Sequence, residues 1–396
     1  MPRWSTFDSF LADTANAPTP AARQRLVDQL LTERSFPWVG DAQATFAYVG
    51  GDIERVALNL DSIPQDPPFE PFTRLEGTNF WYVTHPFAHD DLLDYLLAVN
   101  DPMTPLATET QLMDRITRYW RPDTLNPIGM STAGQRVSVL RMPGARPFPD
   151  WSAMKRVRHG TTTELSIDSD ELGFQARRVT VYLPPGYQET DQTYPLVIVQ
   201  DGQWMAGPLQ APYIADALIK HQRMQPALIA MIHSGTQDER SREYSSLTGY
   251  SLFLLTELLP MLQTSFRIDA TRIAVGGVAL GAVAAANAAL QNPSVFSRLF
   301  MISAPLGKGA FNDLLREIMT RFEKADQLPA RVYQSVGRYE GKTRFVRPAD
   351  HLRDILSHRR DIAYRFDQLA TGHGLVGFRA VLPEALAWTL PGSAWS

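Results

Sequence analysis

The chain contains no cysteine among its 396 residues. This absence excludes disulfide bonds, thiolate metal sites and a cysteine nucleophile, and it fits a reducing compartment. The eight histidines are scattered without His-Glu-x-x-His spacing, and no Gly-x-x-x-x-Gly-Lys-Ser/Thr stretch occurs. We therefore expect no metal site and no nucleotide cofactor.

Long apolar runs are also missing. The first eight residues lack the apolar core that a signal peptide needs. The most apolar stretch, Ile273 to Leu290, is rich in glycine and alanine and is shorter than the ~20 residues of a membrane span. The sequence thus predicts a cytoplasmic protein with no membrane partner.

Excess charge of one sign is absent as well. The net charge is −4, with 20% charged and 44% hydrophobic residues. This composition is typical of a soluble globular protein and gives no reason to expect a nucleic acid partner. The length suits two domains, since one domain takes roughly 100–200 residues. The sequence leaves the oligomeric state open.

The pattern of the chain changes near residue 150. Helical spacing of leucines marks residues 1–35, and several short strands separated by Pro and Gly turns follow in residues 40–140. This pattern predicts leading helices and an antiparallel β-sandwich in a first domain, residues 1–150. A Pro- and Arg-rich stretch over residues 141–160 is predicted to be the linker.

The second domain, residues 151–396, has a strand–helix pattern typical of an α/β fold. Leu196 to Gln200 is apolar until its end, as a central parallel strand should be. Further strands are predicted at Ala176–Leu183, Ala227–Ile232, Leu299–Ser303 and Ala330–Ser335.

Residues Arg272–Asn287 have the layout of a nucleophile elbow. A buried strand is followed by a tight turn, with Gly277 and Gly281 two residues before and after its centre, and then by a helix of small residues. The central residue should be serine, but it is Ala279, and a methyl group cannot attack a substrate. An ordinary buried strand–helix unit carries similar glycines, so the rest of the chain has to decide.

Other stretches supply candidates for the remaining catalytic groups. In α/β-hydrolases the nucleophile, acid and histidine follow in that chain order. His373, between two glycines in a predicted loop, fits the base, and these glycines predict a flexible, exposed backbone. Glu340, just past a strand, fits the acid, and Asp350 is its competitor.

Backbone amides at the same sheet edge are candidates for an oxyanion hole. The amide of Leu280 follows the nucleophile position, and Gly202 or Gln203 follows the apolar strand that ends at Gln200. Trp204 lies in the same stretch and is a candidate substrate contact.

Arginines after later strands are candidates for binding an anionic or catechol oxygen of a substrate. They are Arg240 and Arg242, with Arg344 and Arg347 as weaker candidates; a solvated charged face is the alternative for all four.

These features resemble the cytoplasmic enterochelin (enterobactin) esterases, which hydrolyse the trilactone backbone of a ferric catecholate siderophore. The resemblance covers most of the chain and is carried by Ala44–Phe46, Arg74–Thr84, Tyr95–Pro102, Asp123–Pro127, Ser138–Pro143, Arg177–Tyr187, Asp201–Trp204, Arg240 with Glu243, and Gly372–His373.

The resemblance implies an α/β-hydrolase domain preceded by an immunoglobulin-like domain, a serine at position 279, His373 as base and an acid near Glu340. Iron would enter only as part of the substrate. The chain departs from the family at Ala279 and has Gly-Gly-Val-Ala-Leu-Gly-Ala in place of the usual Gly-Gln-Ser-x-Gly-Gly.

Three functions are compatible with this departure. The first is a serine esterase for a siderophore trilactone or cyclic ester, inactivated because Ala279 replaces the nucleophile. The alternatives are a natural pseudoenzyme that binds a catechol siderophore or depsipeptide without hydrolysis, or an acyltransferase with the same triad.

Overall fold

The computed structural model describes residues 2–131, 135–147, 151–154, 156–307, 309 and 312–395. Contacts between Cα atoms divide the chain into two compact units. The first unit comprises Met1–Pro147 and Ala370–Val376, and the second comprises Phe148–Leu369 and Gly377–Ser396. The predicted boundary at residue 150 and part of the predicted linker lie outside the described residues.

Two helices open the first unit, as predicted. They are α1 (Phe7–Ala15) and α2 (Pro20–Glu33), and each begins after a threonine whose hydroxyl accepts a backbone N–H of the first turn. Such N-caps satisfy an amide that has no partner within the helix. The buried faces of both helices contribute to one aromatic-rich cluster with Phe80 of the following sheet.

The rest of the first unit forms two antiparallel sheets. The first has the strand order β1 (Trp38–Val39), β2 (Gln43–Val49), β6 (Phe80–Pro86), β5 (Thr73–Arg74). The second has the order β4 (Phe69–Pro71), β3 (Val56–Asn59), β7 (Leu92–Val99), β10 (Arg136–Arg141), β9 (Gly129–Ser131), with β8 (Trp120–Arg121) also paired to β7. A short helix, α3 (Leu112–Tyr119), precedes β8.

The two sheets pack through aromatic side chains. The ring of Phe46 on β2 lies edge-on to Tyr95 on β7, with 5.0 Å between ring centroids, and also contacts Phe87. Inward-facing aromatic residues of this kind form the core of a β-sandwich. The predicted sandwich with leading helices is confirmed.

The second unit is built on an eight-stranded sheet. Its order is β11 (Thr161–Ser169), β12 (Phe174–Leu183), β14 (Leu228–Ile232), β13 (Tyr194–Gln200), β15 (Ile268–Val278), β16 (Phe296–Ile302), β17 (Arg331–Gly337), β18 (Ala363–Leu369). Strand β12 runs antiparallel to both of its neighbours, and the strands from β14 to β18 pair in parallel. This is the strand order of the predicted α/β-hydrolase fold.

Helices connect the parallel strands. They are α4 (Gly202–Ala206), α5 (Ala211–Lys220), α6 (Gln237–Tyr244), α7 (Gly249–Leu252), α8 (Leu259–Ser265), α9 (Leu280–Gln291), α10 (Asn312–Lys324), α11 (Arg347–Ser357) and α12 (Leu375–Thr389). A π-helical segment, Phe253–Leu258, joins α7 to α8. No helix in the described ranges is both long enough and apolar enough to cross a membrane.

Strand β15 is longer than the sequence predicts. The prediction ended it at Val275, whereas pairing with β16 continues to Val278 through two glycines. A Cβ atom at Gly276 would lie 2.2 Å from the ring of Phe300, its partner on β16. The phenylalanine ring thus takes the space of the missing side chain, which keeps the glycine within the sheet.

Candidate functional site

The turn after β15 consists of a single residue. Ala279 lies between the last residue of β15 and the first residue of α9, with φ 51° and ψ −125°. Residues with a side chain rarely adopt this backbone region, and holding one there costs about 1–3 kcal/mol. Ala279 is partly exposed, whereas Val278 and Leu280 on either side are buried. The backbone therefore presents the side chain of position 279 outward at the end of the strand.

The flanking glycines allow the strand and helix to meet. A Cβ atom at Gly277 would lie 2.5 Å from the carbonyl carbon of Gly281, which is closer than real Cβ atoms approach. A Cβ atom at Gly281 would lie 3.1 Å from the side chain of Gln200. These contacts match the close approach that the nucleophile-elbow pattern requires.

Gln200, the last residue of β13, links the two sides of this turn. Its side chain is fully buried. With the amide nitrogen turned toward the turn, it donates to the carbonyl oxygens of Gly276 at 2.5 Å and Gly281 at 3.1 Å. Buried backbone carbonyls at a strand end need such donors, and Gln200 satisfies one on the strand and one on the helix.

Asp201 and Arg240 form a buried ion pair next to Gln200. Arg240 donates from Nε and Nη2 to the two carboxylate oxygens of Asp201, at 2.7 and 2.8 Å. Burial alone would lower the pKa of Arg240, but the hydrogen bonds and charge of Asp201 outweigh it and raise the pKa. Arg240 also lies over the rings of Trp204 and Tyr244. The predicted substrate arginine thus has its guanidinium bonded to a protein carboxylate.

This ion pair stabilises the predicted oxyanion loop, which contains Gly202 and Gln203. Asp201 has a left-handed backbone, φ 57° and ψ 49°, and α4 begins at the next residue, Gly202. The side chain of Gln203 exchanges two hydrogen bonds with Ser234, one from its amide to the hydroxyl and one from the Ser234 amide. The amides of Gly202, Gln203 and Leu280 all lie in first turns of helices, where N–H groups have no intrahelical acceptor.

Glu340 lies three residues beyond β17 and is 3% exposed. Its Oε1 accepts hydrogen bonds from the hydroxyl of Ser303 and from the amide of Gly337. The competing acid, Asp350, lies on α11, where it forms an ion pair with Arg353 at 3.0 Å. The position at a strand end favours Glu340, whereas Asp350 belongs to a partly exposed helix surface.

His373 lies in a loop between β18 and α12, which we call the histidine loop (Ala370–Val376). The loop belongs to the first unit, which no local sequence pattern indicates. The side chain of His373 is exposed, and its amide donates to Oδ2 of Asp61 at 2.7 Å. The flanking glycines lie directly against Asp61 and Asp94. They are therefore sites of close approach, and the flexibility expected of this backbone stays a prediction.

The remaining predicted contacts lie on the surface. Arg242 on α6 is exposed, as are Arg344 and Arg347 near the start of α11. Their roles in binding stay predictions. Within the described part of the chain, no group of three or more histidine, aspartate or glutamate residues is arranged to hold a metal ion.

A cavity of about 660 Å³ opens on the antiparallel side of the sheet in the second unit. Its walls come from β11, β12, α4 and α5, and its polar lining includes His159, Arg178, Tyr182, Gln203 and His233. Small-molecule pockets have volumes of about 300–1,000 Å³. Because Gln203 lines this cavity, the predicted oxyanion loop forms part of the wall of a cavity large enough for a small-molecule ligand.

Comparison with known proteins agrees with this fold. A family model described as "Putative esterase" matches residues 169–389. The Iron(III) enterobactin esterase of Dickeya dadantii (strain 3937) is 27% identical over 380 residues, covering 86% of this chain and 84% of that protein. The Iron(III) enterobactin esterase of Escherichia coli (strain K12) is 24% identical over 295 residues, covering 69% of this chain and 70% of the relative.

Solved structures show the same likeness. The ferric enterobactin esterase of Salmonella typhimurium superposes with a TM-score of 0.72 at 21% identity, covering 88% of this chain and 93% of that structure. The Shigella flexneri enterobactin esterase crystallised in the presence of enterobactin gives 0.71 at 20% identity, covering 87% and 92%. Because the family model spans more than half of the sequence, the chain belongs to the esterase family, and its similarity to the enterobactin esterases extends along most of its length.

Proposed function

We propose that this chain is a serine esterase of the siderophore-trilactone or cyclic-ester type in which Ala279 replaces the nucleophile. The backbone of Ala279 carries the proposal. Its φ of 51° and ψ of −125° place an alanine in a conformation that offers it no advantage. The same conformation at a strand end presents a serine hydroxyl to a substrate.

In the serine form, each part of the site has a role. The serine oxygen attacks the ester carbonyl, and His373 accepts its proton and returns it to the leaving alcohol. The amides of Leu280 and of Gly202 or Gln203 stabilise the oxyanion. Glu340 orients the histidine and stabilises its charged form, and no cofactor takes part.

The names of the relatives support the substrate class. Two relatives are named Iron(III) enterobactin esterase. For this chain we propose a small-molecule siderophore or depsipeptide ester as substrate, with iron present only as part of the substrate. Trp204, Arg240 and Arg242 are the proposed substrate-side residues, and for Arg240 the bonds to Asp201 favour an indirect contribution through the loop. We propose a cytoplasmic location on the same resemblance.

Binding without hydrolysis is the second candidate, and the alanine itself favours it. The chain with Ala279 keeps the close glycine packing of the turn and the hydrogen bonds of the predicted oxyanion loop, whose Gln203 lines a cavity of about 660 Å³. A pseudoenzyme of this kind binds a catechol siderophore and gains no turnover from a serine. An acyltransferase with the same triad differs in forming product with an amine or alcohol acceptor.

The test is the Ala279→Ser variant, assayed on ferric enterobactin and on a simple aryl ester. Removing a serine nucleophile typically lowers kcat by on the order of 10⁶-fold, so we expect the substitution to create measurable turnover. Ala279→Gly is the matched control, because it changes the same position without adding a hydroxyl. Chromatography with and without an amine acceptor separates hydrolysis from acyl transfer.

Further variants in the Ala279→Ser chain assign the other roles. His373→Asn should abolish the turnover. Glu340→Gln should lower kcat by up to about 10⁴-fold, as the loss of an orienting carboxylate does, whereas Asp350→Asn should leave it unchanged. Tight binding of ferric enterobactin, followed by tryptophan fluorescence, with no turnover in the serine variant would favour the pseudoenzyme.

A further inference from the structure

Asp94 is an unusual residue for its position in strand β7. Its neighbours Leu93 and Tyr95 are buried, and Asp94 itself is only partly exposed. Aspartate is depleted in strands and is seldom buried without a partner. Asp94 lines a small cavity of about 120 Å³ together with Asn59, Asp61, Tyr95 and His373.

The histidine loop is hydrogen-bonded to β7 and to the turn after β3. The amide of Leu92 donates to the carbonyl of Ala370 at 2.9 Å. Three residues later, the amide of His373 donates to Asp61, which lies two residues beyond β3. These two bonds fix the backbone on which the imidazole is carried.

Two carboxylates also lie on either side of His373. A Cβ atom added to Gly372 would lie 2.3 Å from the carboxylate of Asp61, and one added to Gly374 would lie 2.2 Å from that of Asp94. Neither position accepts a side chain unless the neighbouring carboxylate moves, so the packing of these two acids favours the Gly-His-Gly sequence. Asp61, Asp94 and the histidine loop thus pack together next to His373.

This arrangement disfavours the ionised form of Asp94. Burial, and after it the nearby charge of Asp61, raise the pKa of Asp94 to about 6, while His373 acts in the opposite direction. A carboxyl group held so unfavourably in a small polar cavity is a candidate functional group. Residues that are unfavourable for folding tend to occur at functional sites.

We propose that Asp94, together with Asp61, is a positioning residue for the imidazole of His373. In addition to Glu340, whose proposed role concerns the same ring, their negative charges orient the imidazole and stabilise the imidazolium that forms when His373 accepts the proton of the attacking hydroxyl. The proton then passes to the leaving alcohol, so neither carboxylate has to accept it. The inference rests on the proposed function, since it needs His373 as the base.

The kinetic test uses the full chain with Ala279→Ser. Asp94→Asn should lower kcat on an aryl ester by about 10²-fold, the loss that a small misplacement of a catalytic group causes, with KM within twofold. Asp94→Glu, which keeps the charge, should recover part of the loss. The control is Asp101→Asn, which removes a buried carboxylate of the same unit that bonds Arg115 and Trp120.

Two kinetic outcomes would overturn the inference. One is a kcat for Asp94→Asn within twofold of the Ala279→Ser parent. The other is an equal fall in kcat for Asp101→Asn, because that would show a response to general loosening of the unit.

A spectroscopic test does not depend on turnover. In the chain with Ala279, the ring ¹⁵N resonances of His373 are identified with labelled histidine and the His373→Gln variant. Asp94→Asn and Asp61→Asn should each shift these resonances, and Asp101→Asn should not. Unshifted resonances refute the positioning role even if Ala279→Ser is active. Conversely, an inactive Ala279→Ser chain with shifted resonances refutes the proposed function and leaves the positioning role supported.

Discussion

Replacing Asp94 by asparagine should stabilise the first unit at neutral pH while it impairs His373. The pKa of Asp94 rises from its ordinary 3.8 to about 6 in the folded chain, first through burial and then through Asp61. Ionising this group therefore costs the folded state about 3 kcal/mol, at about 1.4 kcal/mol for each pH unit between the two pKa values. Asparagine has no such cost.

The sign of the pH dependence follows from linkage. Below about pH 4, Asp94 is protonated in both the folded and unfolded states, so asparagine brings no advantage. As the pH rises through the folded pKa of about 6, the native aspartate loses stability that the amide keeps. The difference between the two chains should grow from pH 4 to pH 6 and be constant above pH 7.

Hydrogen exchange with mass spectrometry suits this prediction, because it reports on one region of a two-unit chain. Peptides that cover β7 (Leu92–Val99) should exchange up to about 10²-fold more slowly in Asp94→Asn than in the parent at pH 7.5, and within about threefold of the parent at pH 4. A double variant with Asp61→Asn measures the share due to the like charge. Faster exchange in Asp94→Asn at pH 7.5, or an equal difference at both pH values, would refute the reasoning.

Two predictions concern the second unit. Arg240→Met should destabilise it by about 3–5 kcal/mol, because Asp201 is left as a buried, unpaired charge; urea unfolding measures this, and a loss below 1 kcal/mol would show that the pair is dispensable. Gly277→Ala should cost about 1–3 kcal/mol or more through overpacking at 2.5 Å from the backbone of Gly281. Gly341→Ala is the control, since its nearest neighbour would be at an ordinary 3.7 Å; equal melting temperatures for the two variants would contradict the close contact.

Local patterns were enough to predict much of the second unit. The apolar strand before Gln200 and the glycine spacing around Ala279 predicted β13, the turn and α9 because each depends on neighbours within about ten residues. Strand β18 (Ala363–Leu369) was not predicted, because this edge strand carries Arg365, Asp367 and Gln368 and has no continuous apolar run like that of β13.

Residues that act through distant partners were not predicted. Asp61 bonds the amide of His373 across 312 positions of sequence, and no local pattern records such a contact. Asp94 lies among the short strands predicted over residues 40–140, and no local pattern links it to His373. A charged residue within an apolar strand was the available signal. Arg240 was recognised as important, but its partner Asp201 was visible only in the structure.

The backbone at position 279 keeps its shape with only a methyl group attached. The surrounding fold, and not the residue, sets this conformation, so other side chains placed at position 279 should have the same backbone conformation. Because the chain has no cysteine, Ala279→Cys would create a single thiol at the end of the central strand. Such a chain would accept one fluorophore, spin label or electrophilic probe at a defined place, without any background sites to remove.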